Sequence, residues 1–271
     1  MTPAFKTATF IAATLCVAGT HAADWSDNSV GLRIGNSFAE PGNTNKIGKA
    51  ILNFTHVSGD RLGANYFNIN MLASDSKDPA GGGGGGAQEF YGLYQRSFSI
   101  GALSGNKTGY GFAKDLLLVG RLDVGAKNDA FASRPRKLRL GVSVALPVSA
   151  GFFDVGASLY KETNHNGIVG KDVTFDPAAA LSAAWSIPVG GVAVFGGFAD
   201  VVGPKGKDGF GADTKTEILA RTTLMFDVAG AKSGIKAGFG MEYWKNKYGN
   251  NAAIVPGAKQ TTGLLLTEYH F

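Results

Sequence analysis

Cysteine is nearly absent from this chain. Its 271 residues hold one, Cys16, so neither a disulfide framework nor a thiolate metal site can organise the fold. Charge is scarce too, at 17% Asp, Glu, Lys and Arg against 44% apolar residues, which excludes a disordered chain. The net charge of +5 is not gathered into a stripe, so nucleic acid is not an expected partner. No apolar run reaches the ~18 residues of a spanning helix. What the chain has in excess is glycine, 40 residues without a G-X-Y period, set among 18 Phe and 8 Tyr. That mixture points to many strands joined by turns.

The first 22 residues read as an address. Lys6 gives a positive start, and Ala8 to Gly19 is apolar but only 12 residues long, too short to span a bilayer. Small residues flank the end at Thr20-His21-Ala22, as a signal peptidase requires. Leu15 before Cys16 argues against lipidation. A cleaved secretory signal over 1–22 and one domain over 23–271 are therefore expected.

Period-two alternation marks strands. In Lys137–Leu146, Leu138, Leu140, Val142, Val144 and Leu146 share one face, opposite Lys137, Arg139, Gly141 and Ser143. Leu116–Val124 and Gly234–Lys245 behave alike. Fainter versions at Ser29–Phe38, Lys49–Val57, Leu62–Leu72, Glu89–Ile100, Phe152–Glu162, Ala178–Ile187, Val192–Val202, Thr216–Val228 and Thr262–Phe271 make twelve. Long and short connections alternate between them, with 101–113 blurring the order. An even strand count with sorted loops predicts an all-β protein: a single transmembrane antiparallel β-barrel of the Gram-negative outer membrane, reached through the periplasm. The terminal Phe271, with Tyr269 and Leu265 on its face, resembles the signal read by the barrel-assembly machinery.

In lipid the sheet must close and turn its apolar face outward, which assigns the polar face to the lumen. Parity then puts Arg33, Arg121, Lys137, Arg139, Arg221 and Lys236 inside, against Asp123, Asp154, Glu217, Asp227, Glu242 and Glu268. Near-cancellation suits a neutral polar solute better than an ion of one sign; the alternative is that these groups pair and fill the lumen. Tyr66, Asn68, Asn70, Tyr160 and Trp244 share that wall.

Several strings, in order and spacing, resemble one family. They are Asp24-Trp25-Ser26-Asp27-Asn28, Ser37 to Asn43, Lys127-Asn128-Asp129-Ala130-Phe131, Tyr160-Lys161-Glu162 with Asn164 to Gly167, and Gly203 to Phe210. Glu242-Tyr243-Trp244 and Glu268-Tyr269-His270-Phe271 complete the set. Together they resemble the Tsx/OmpK-type nucleoside-specific channel-forming proteins of the outer membrane. The resemblance implies a twelve-stranded monomeric barrel passing nucleosides by diffusion, with long loops that serve phages or colicins in some members. It makes Phe38, Tyr243 and Trp244 candidates to stack a nucleobase, beside a channel wall of Arg33, Arg121, Asp123, Arg139, Tyr160 and Glu242. Strict parity from Ile34 puts Phe38 and Tyr243 on the lipid side, so Phe38 lines a channel only if its strand ends or bulges first. The other reading of all three is an interfacial aromatic girdle.

No enzyme is expected. His270 beside Glu268 could mimic a base and its orienter, but no G-x-S-x-G accompanies it. Gly101 to Thr108 has Asn106 where a phosphate loop needs glycine and reads as a turn. Gly81 to Gly86 reads as an external loop. The lysines at 205 and 207 read as a solvated loop that could meet an anion or lipopolysaccharide. No cofactor or metal is implied.

Overall fold

The computed structural model describes residues 23–78, 85–106, 109–129, 132–230 and 233–271. The leader at 1–22, most of Gly81–Gly86, Lys107–Thr108 and Ala130–Phe131 lie outside the described residues. In chain order the strands are β1 (Trp25–Phe38), β2 (Ile47–Asp60), β3 (Gly63–Ser74), β4 (Gln88–Ser99), β5 (Asp115–Lys127) and β6 (Arg136–Leu146). They continue as β7 (Phe152–Asn166), β8 (Lys171–Thr174), β9 (Ala178–Val189), β10 (Ala193–Val202), β11 (Glu217–Asp227), β12 (Ile235–Lys245) and β13 (Lys259–His270).

Twelve of these close into an antiparallel ring. Each pairs with its sequence neighbour, β7 joins β9 directly, and β1 meets β13 with Ile34 opposite Leu265. The four-residue β8 pairs only with the end of β7 and extends that hairpin beyond the ring. Closure leaves no strand edge with unpaired backbone groups, the condition for a sheet in lipid. At the seam Phe271 N donates to Asn28 O at 2.9 Å.

The faces are inverted relative to a water-soluble protein. On β1, Val30, Leu32 and Ile34 are exposed, whereas Ser29, Gly31, Arg33 and Gly35 between them are buried. Leu138 and Leu140 flank a buried Arg139 in the same way, and Leu122 and Val124 flank Asp123. An apolar outer surface around a polar interior is the arrangement of a transmembrane barrel. Aromatic clusters belt the outside, as in Phe153–Trp185–Phe195 and the stacked Tyr269–Phe271 pair.

The connections sort as the sequence suggested. Those after β1, β3, β5, β7, β10 and β12 (L1 39–46, L2 75–87, L3 128–135, L4 167–177, L5 203–216 and L6 246–258) crowd one end. The other end holds the termini and, with one exception, tight turns. The exception is 100–114, where the expected turn contains a short helix, α1 (Ile100–Ser104). Ser99 Oγ accepts from Ala102 N at its start, and Gly105 closes it with φ 75°. Its five residues fall below what hydrophobic periodicity detects.

Candidate functional site: the barrel lumen

Twelve strands enclose more space than their inward side chains fill evenly, and this chain fills one flank only. The device is a β-bulge. Register between β1 and β2 shifts between Gly35 and Phe38, so the strict alternation that would have sent Phe38 into lipid is broken by one residue. Phe38 turns inward and lies over Gly35, where a Cβ would sit 2.9 Å from its ring and 2.7 Å from Thr262 Cγ2. It packs with Ile47, Ile51, Met225, Leu264 and Leu266, the inward residues of neighbouring strands. At 4% exposure, Phe38 is inside the barrel, but its ring is covered and cannot offer a stacking face.

Ionic clusters fill the loop end. Lys49 of β2, Lys127 of β5 and Lys247 of L6 converge on Glu40, Asp78 and Glu89. The separations are 2.8 Å for Lys49–Glu40, 2.6 Å for Lys127–Asp78 and 2.5 Å for Lys49–Glu89, with Lys247–Glu40 at 3.2 Å. Burial works to raise the Glu40 carboxyl, but Lys247, Lys49 and Lys127 outweigh it and hold it at about 2. Three carboxylates stand together here, yet three ammonium groups already neutralise them, so the site does not suit a metal ion. Lys205 of L5 is not the solvated residue expected from sequence. It is 1% exposed, ion-paired to Glu162, 3.8 Å from Glu217 and over the Phe175 ring at 4.4 Å.

L6 also crosses the mouth. Trp244 faces inward, and its Nε1 donates to Glu217 Oε1 at 2.8 Å. Lys247 Nζ lies 4.5 Å over its ring and Tyr248 meets it edge-on at 5.2 Å. Tyr248 holds a left-handed backbone, φ 60°, unusual for a residue with a Cβ. That turn directs its side chain toward L3, where Ser133 stands near its hydroxyl. Trp244 is thus an anchor for L6, its face taken by Lys247 and Tyr248. Tyr243 lies on the outward row of Phe239 and Met241 and belongs to the lipid-facing surface.

The opposite flank stays open. A cavity open to solvent runs between β4, β5, β6, β7, β9 and β10, and a smaller one lies against β11. Arg121, Arg139 and Asp200 line both. Asp200, on β10, reaches across β9 and β7 to accept from Arg139 Nη1 at 2.6 Å and to stand 3.6 Å from Arg121 Nη1. Arg121 holds Asp123 in a two-pronged contact at 2.7 and 2.8 Å, and Tyr91 Oη donates to the same carboxylate at 2.5 Å. The Arg139 guanidinium stacks on Tyr160 at 5.2 Å.

On the filled side Arg221 pairs with Glu242 at 2.5 Å, Gln260 donates to Glu242 at 2.7 Å, and Arg33 donates to Asn70 Oδ1 at 2.5 Å. Among the described residues Arg33 and Lys137 have no carboxylate within ion-pair distance; Lys137 lies 5.7 Å over the Tyr91 ring. The lumen charges are therefore largely paired, leaving these two cations and the Asp154 carboxylate, which lines the larger cavity. Tyr66 keeps 36% of its surface exposed on the inward row of Asn68 and Asn70, while Phe198, with Arg221 5.3 Å over its ring, lines the larger cavity.

Of the residues picked from sequence, Arg121, Asp123, Arg139 and Tyr160 share the open flank, Arg33 and Glu242 the filled one. Asp200 and Tyr91 escaped notice, although the parity of Val202 and of Glu89 would have turned both inward. Lys205, Lys247 and Tyr248 come from loops, where no period exists to be read.

No family model matches the chain, and no curated protein matches it. Among solved structures it is similar to the NanC porin, at 8% identity over 89% of this chain and 98% of that one, with a TM-score of 0.52. The KdgM porin in complex with disordered oligogalacturonate is 8% identical over 90% and 99% of the two chains, with a TM-score of 0.46. The translocator domain of the autotransporter NalP from Neisseria meningitidis is 13% identical over 93% and 90%, with a TM-score of 0.48. The chain has the fold of a twelve-stranded outer-membrane barrel.

Proposed function

We propose that this protein is a passive channel of the Gram-negative outer membrane for small polar solutes with a flat ring, nucleosides first among them. The observation that carries the reading is the eccentric open flank. Hydroxyl-bearing residues such as Ser97, Ser143, Ser158 and Ser182 line it together with the Phe198 ring, its charges are mostly held in pairs, and the exposed Tyr66 of β3 stands at its β4 edge. A base stacked on an aromatic ring gains about 1–3 kcal/mol. Ring carbonyls can accept from Lys137, and ribose hydroxyls can donate to serine hydroxyls or carboxylates. Such contacts are weak enough to release a solute, as a channel must. Phe38 and Trp244 drop out as stacking faces because their rings are covered, and Tyr66 takes their place.

Current through the refolded barrel in a planar bilayer tests this. Small steps blocked by adenosine or thymidine, but not by a plain sugar, support it. No conductance from folded protein refutes it and favours a second reading, a surface receptor for phage or colicin. That reading draws on the exposed Ile168, Phe210 and Ile254 at the tips of L4, L5 and L6. In either case Phe271 is proposed as the contact for the assembly machinery.

A further inference from the structure

Two lysines stand directly opposite each other on the outer surface. In the β12–β13 register Lys245 faces Lys259, and both are exposed on the outward rows, beside inward Trp244 and Gln260. Cross-strand partners place their Cβ atoms ~4.5–5.5 Å apart, and like charges so placed repel. The chain supplies no counter-ion. Neither lysine has a hydrogen bond or ion pair among the described residues. L6 contains no Asp or Glu, and the outward rows of β12, β13 and β1 carry none.

The position of the pair narrows what can neutralise it. It sits at the loop end of the two strands, just above the apolar rows that start with Tyr243 and Met241 on β12. Below the lysines β13 presents Thr261 and then Gly263, opposite Tyr243 and Met241. A Cβ on Gly263 would meet nothing within 4 Å, so a shallow furrow opens beside Met241 below the lysines and ends at Leu265, which stands opposite Ile34. This stacks an anion site, hydroxyl groups and an apolar furrow in the order of a lipid's phosphate, polar linkage and acyl chain.

We propose that Lys245 and Lys259 bind a phosphate of the outer-leaflet glycolipid, lipid A, with Thr261 and Tyr243 beside its sugar and one acyl chain along Gly263. The site rests on the outer-membrane placement and not on the solute reading. The loop end is the outer-leaflet end, where this phosphate-bearing lipid is concentrated, and paired lysines bridge a phosphate as a charge-assisted contact.

The test uses the full mature barrel refolded in detergent, with native mass spectrometry reading bound lipid. Bisphosphorylated lipid A, its dephosphorylated form, phosphatidylglycerol and inorganic phosphate are the probes. Binding of bisphosphorylated lipid A is expected to fall about tenfold in K245Q/K259Q, equivalent to about 1.4 kcal/mol. A K77Q/K171Q control, which removes two exposed loop lysines, keeps it. Equal binding by wild type and K245Q/K259Q overturns the assignment, as does equal loss in the control. Phosphatidylglycerol held as tightly as lipid A, or lipid A displaced by millimolar phosphate, overturns the choice of ligand. Heat-modified gel mobility checks folding, and conductance of the same samples is expected to be unchanged. A non-conducting barrel that still loses lipid A on substitution would sink the solute reading alone.

Discussion

Asp200 is the residue whose removal should change the passage most, because it alone ties the two arginines that line both cavities. Asp200→Asn keeps an acceptor of the same shape and deletes one negative charge. Arg121 retains its two-pronged hold on Asp123, so only Arg139 loses its carboxylate, the 2.6 Å contact. The local loss of a hydrogen bond between charged groups is about 1.5–3 kcal/mol, and a barrel spread over twelve paired strands should tolerate it. The effect on passing ions can be worked from Coulomb's law. At roughly 7 Å in water one unit charge is worth about 0.6 kcal/mol, and screening at 0.1 M salt nearly halves that. Anions gain this amount and cations lose it, so the anion-to-cation permeability ratio should rise about threefold to sevenfold. Reversal potential across a tenfold KCl gradient measures the ratio directly. An unchanged reversal potential in folded D200N would mean that ions do not pass the Arg121–Asp200–Arg139 bridge, and the assignment of the open flank as the conduit would fall.

Tyr66→Ala should weaken nucleoside block of the current about fivefold to a hundredfold, given ~1–3 kcal/mol for a stacked base, while Tyr243→Ala leaves it unchanged; concentration dependence of block separates the two. Gly35→Ala forces a Cβ to within 2.7–2.9 Å of Thr262, Gly263 and Phe38 and should destabilise the barrel by about 1–3 kcal/mol, read from urea unfolding in vesicles. Glu40 is held at about 2, below its ordinary 4.5. Its contribution, on the order of 3 kcal/mol, is therefore complete above pH 4.5 and lost as pH falls from there toward 2. Acid unfolding followed through that window should be steep in wild type and shallower in E40Q. Tyr248→Ser should release L6 from Ser133 and enlarge single-channel steps, with the Trp244–Glu217 bond left intact.

The strands were legible because one physical rule covers them. A wall with lipid outside and side chains inside forces period two, so Leu138 to Leu146 could be assigned outward and Arg139 inward from spacing alone. The closing order followed from the loop lengths. Where the rule lapses, sequence reading fails in a predictable way. The one-residue bulge between Gly35 and Phe38 inverts parity, and nothing in Ile34 to Phe38 announces it beyond the glycine. Lys205 and Lys247 are ordinary loop lysines by composition; only the tertiary convergence with Glu162 and Glu40 buries them. Charge balance along the wall was readable as a sum, but the identity of the partners was not. Arg139 pairs across the lumen with Asp200, a residue separated from it by two strands and 61 positions.

These lapses also shape the open space inside the barrel. A regular twelve-stranded wall would leave a central, roughly round lumen. Here the bulge turns Phe38 into the barrel, and the inward residues around it are apolar, so β13, β1 and β2 lose their claim to the conduit. Lys205 and Lys247 bring L5 and L6 down onto the mouth, and Tyr248 extends L6 toward L3. What remains open is bounded by strands whose inward residues are small or hydroxylated, punctuated by arginines already committed to carboxylates. Selectivity should then depend on β3 to β10 and hardly at all on β13 to β2. Substitutions on the filled flank, Ile51→Ala for example, should lower stability by about 2–5 kcal/mol and leave solute preference alone, whereas Ser143 or Ser182 changes should do the reverse. A scan pairing unfolding free energy with nucleoside block at those positions would distinguish the two flanks. If preference followed Ile51 as strongly as Ser143, the conduit would have to be central after all.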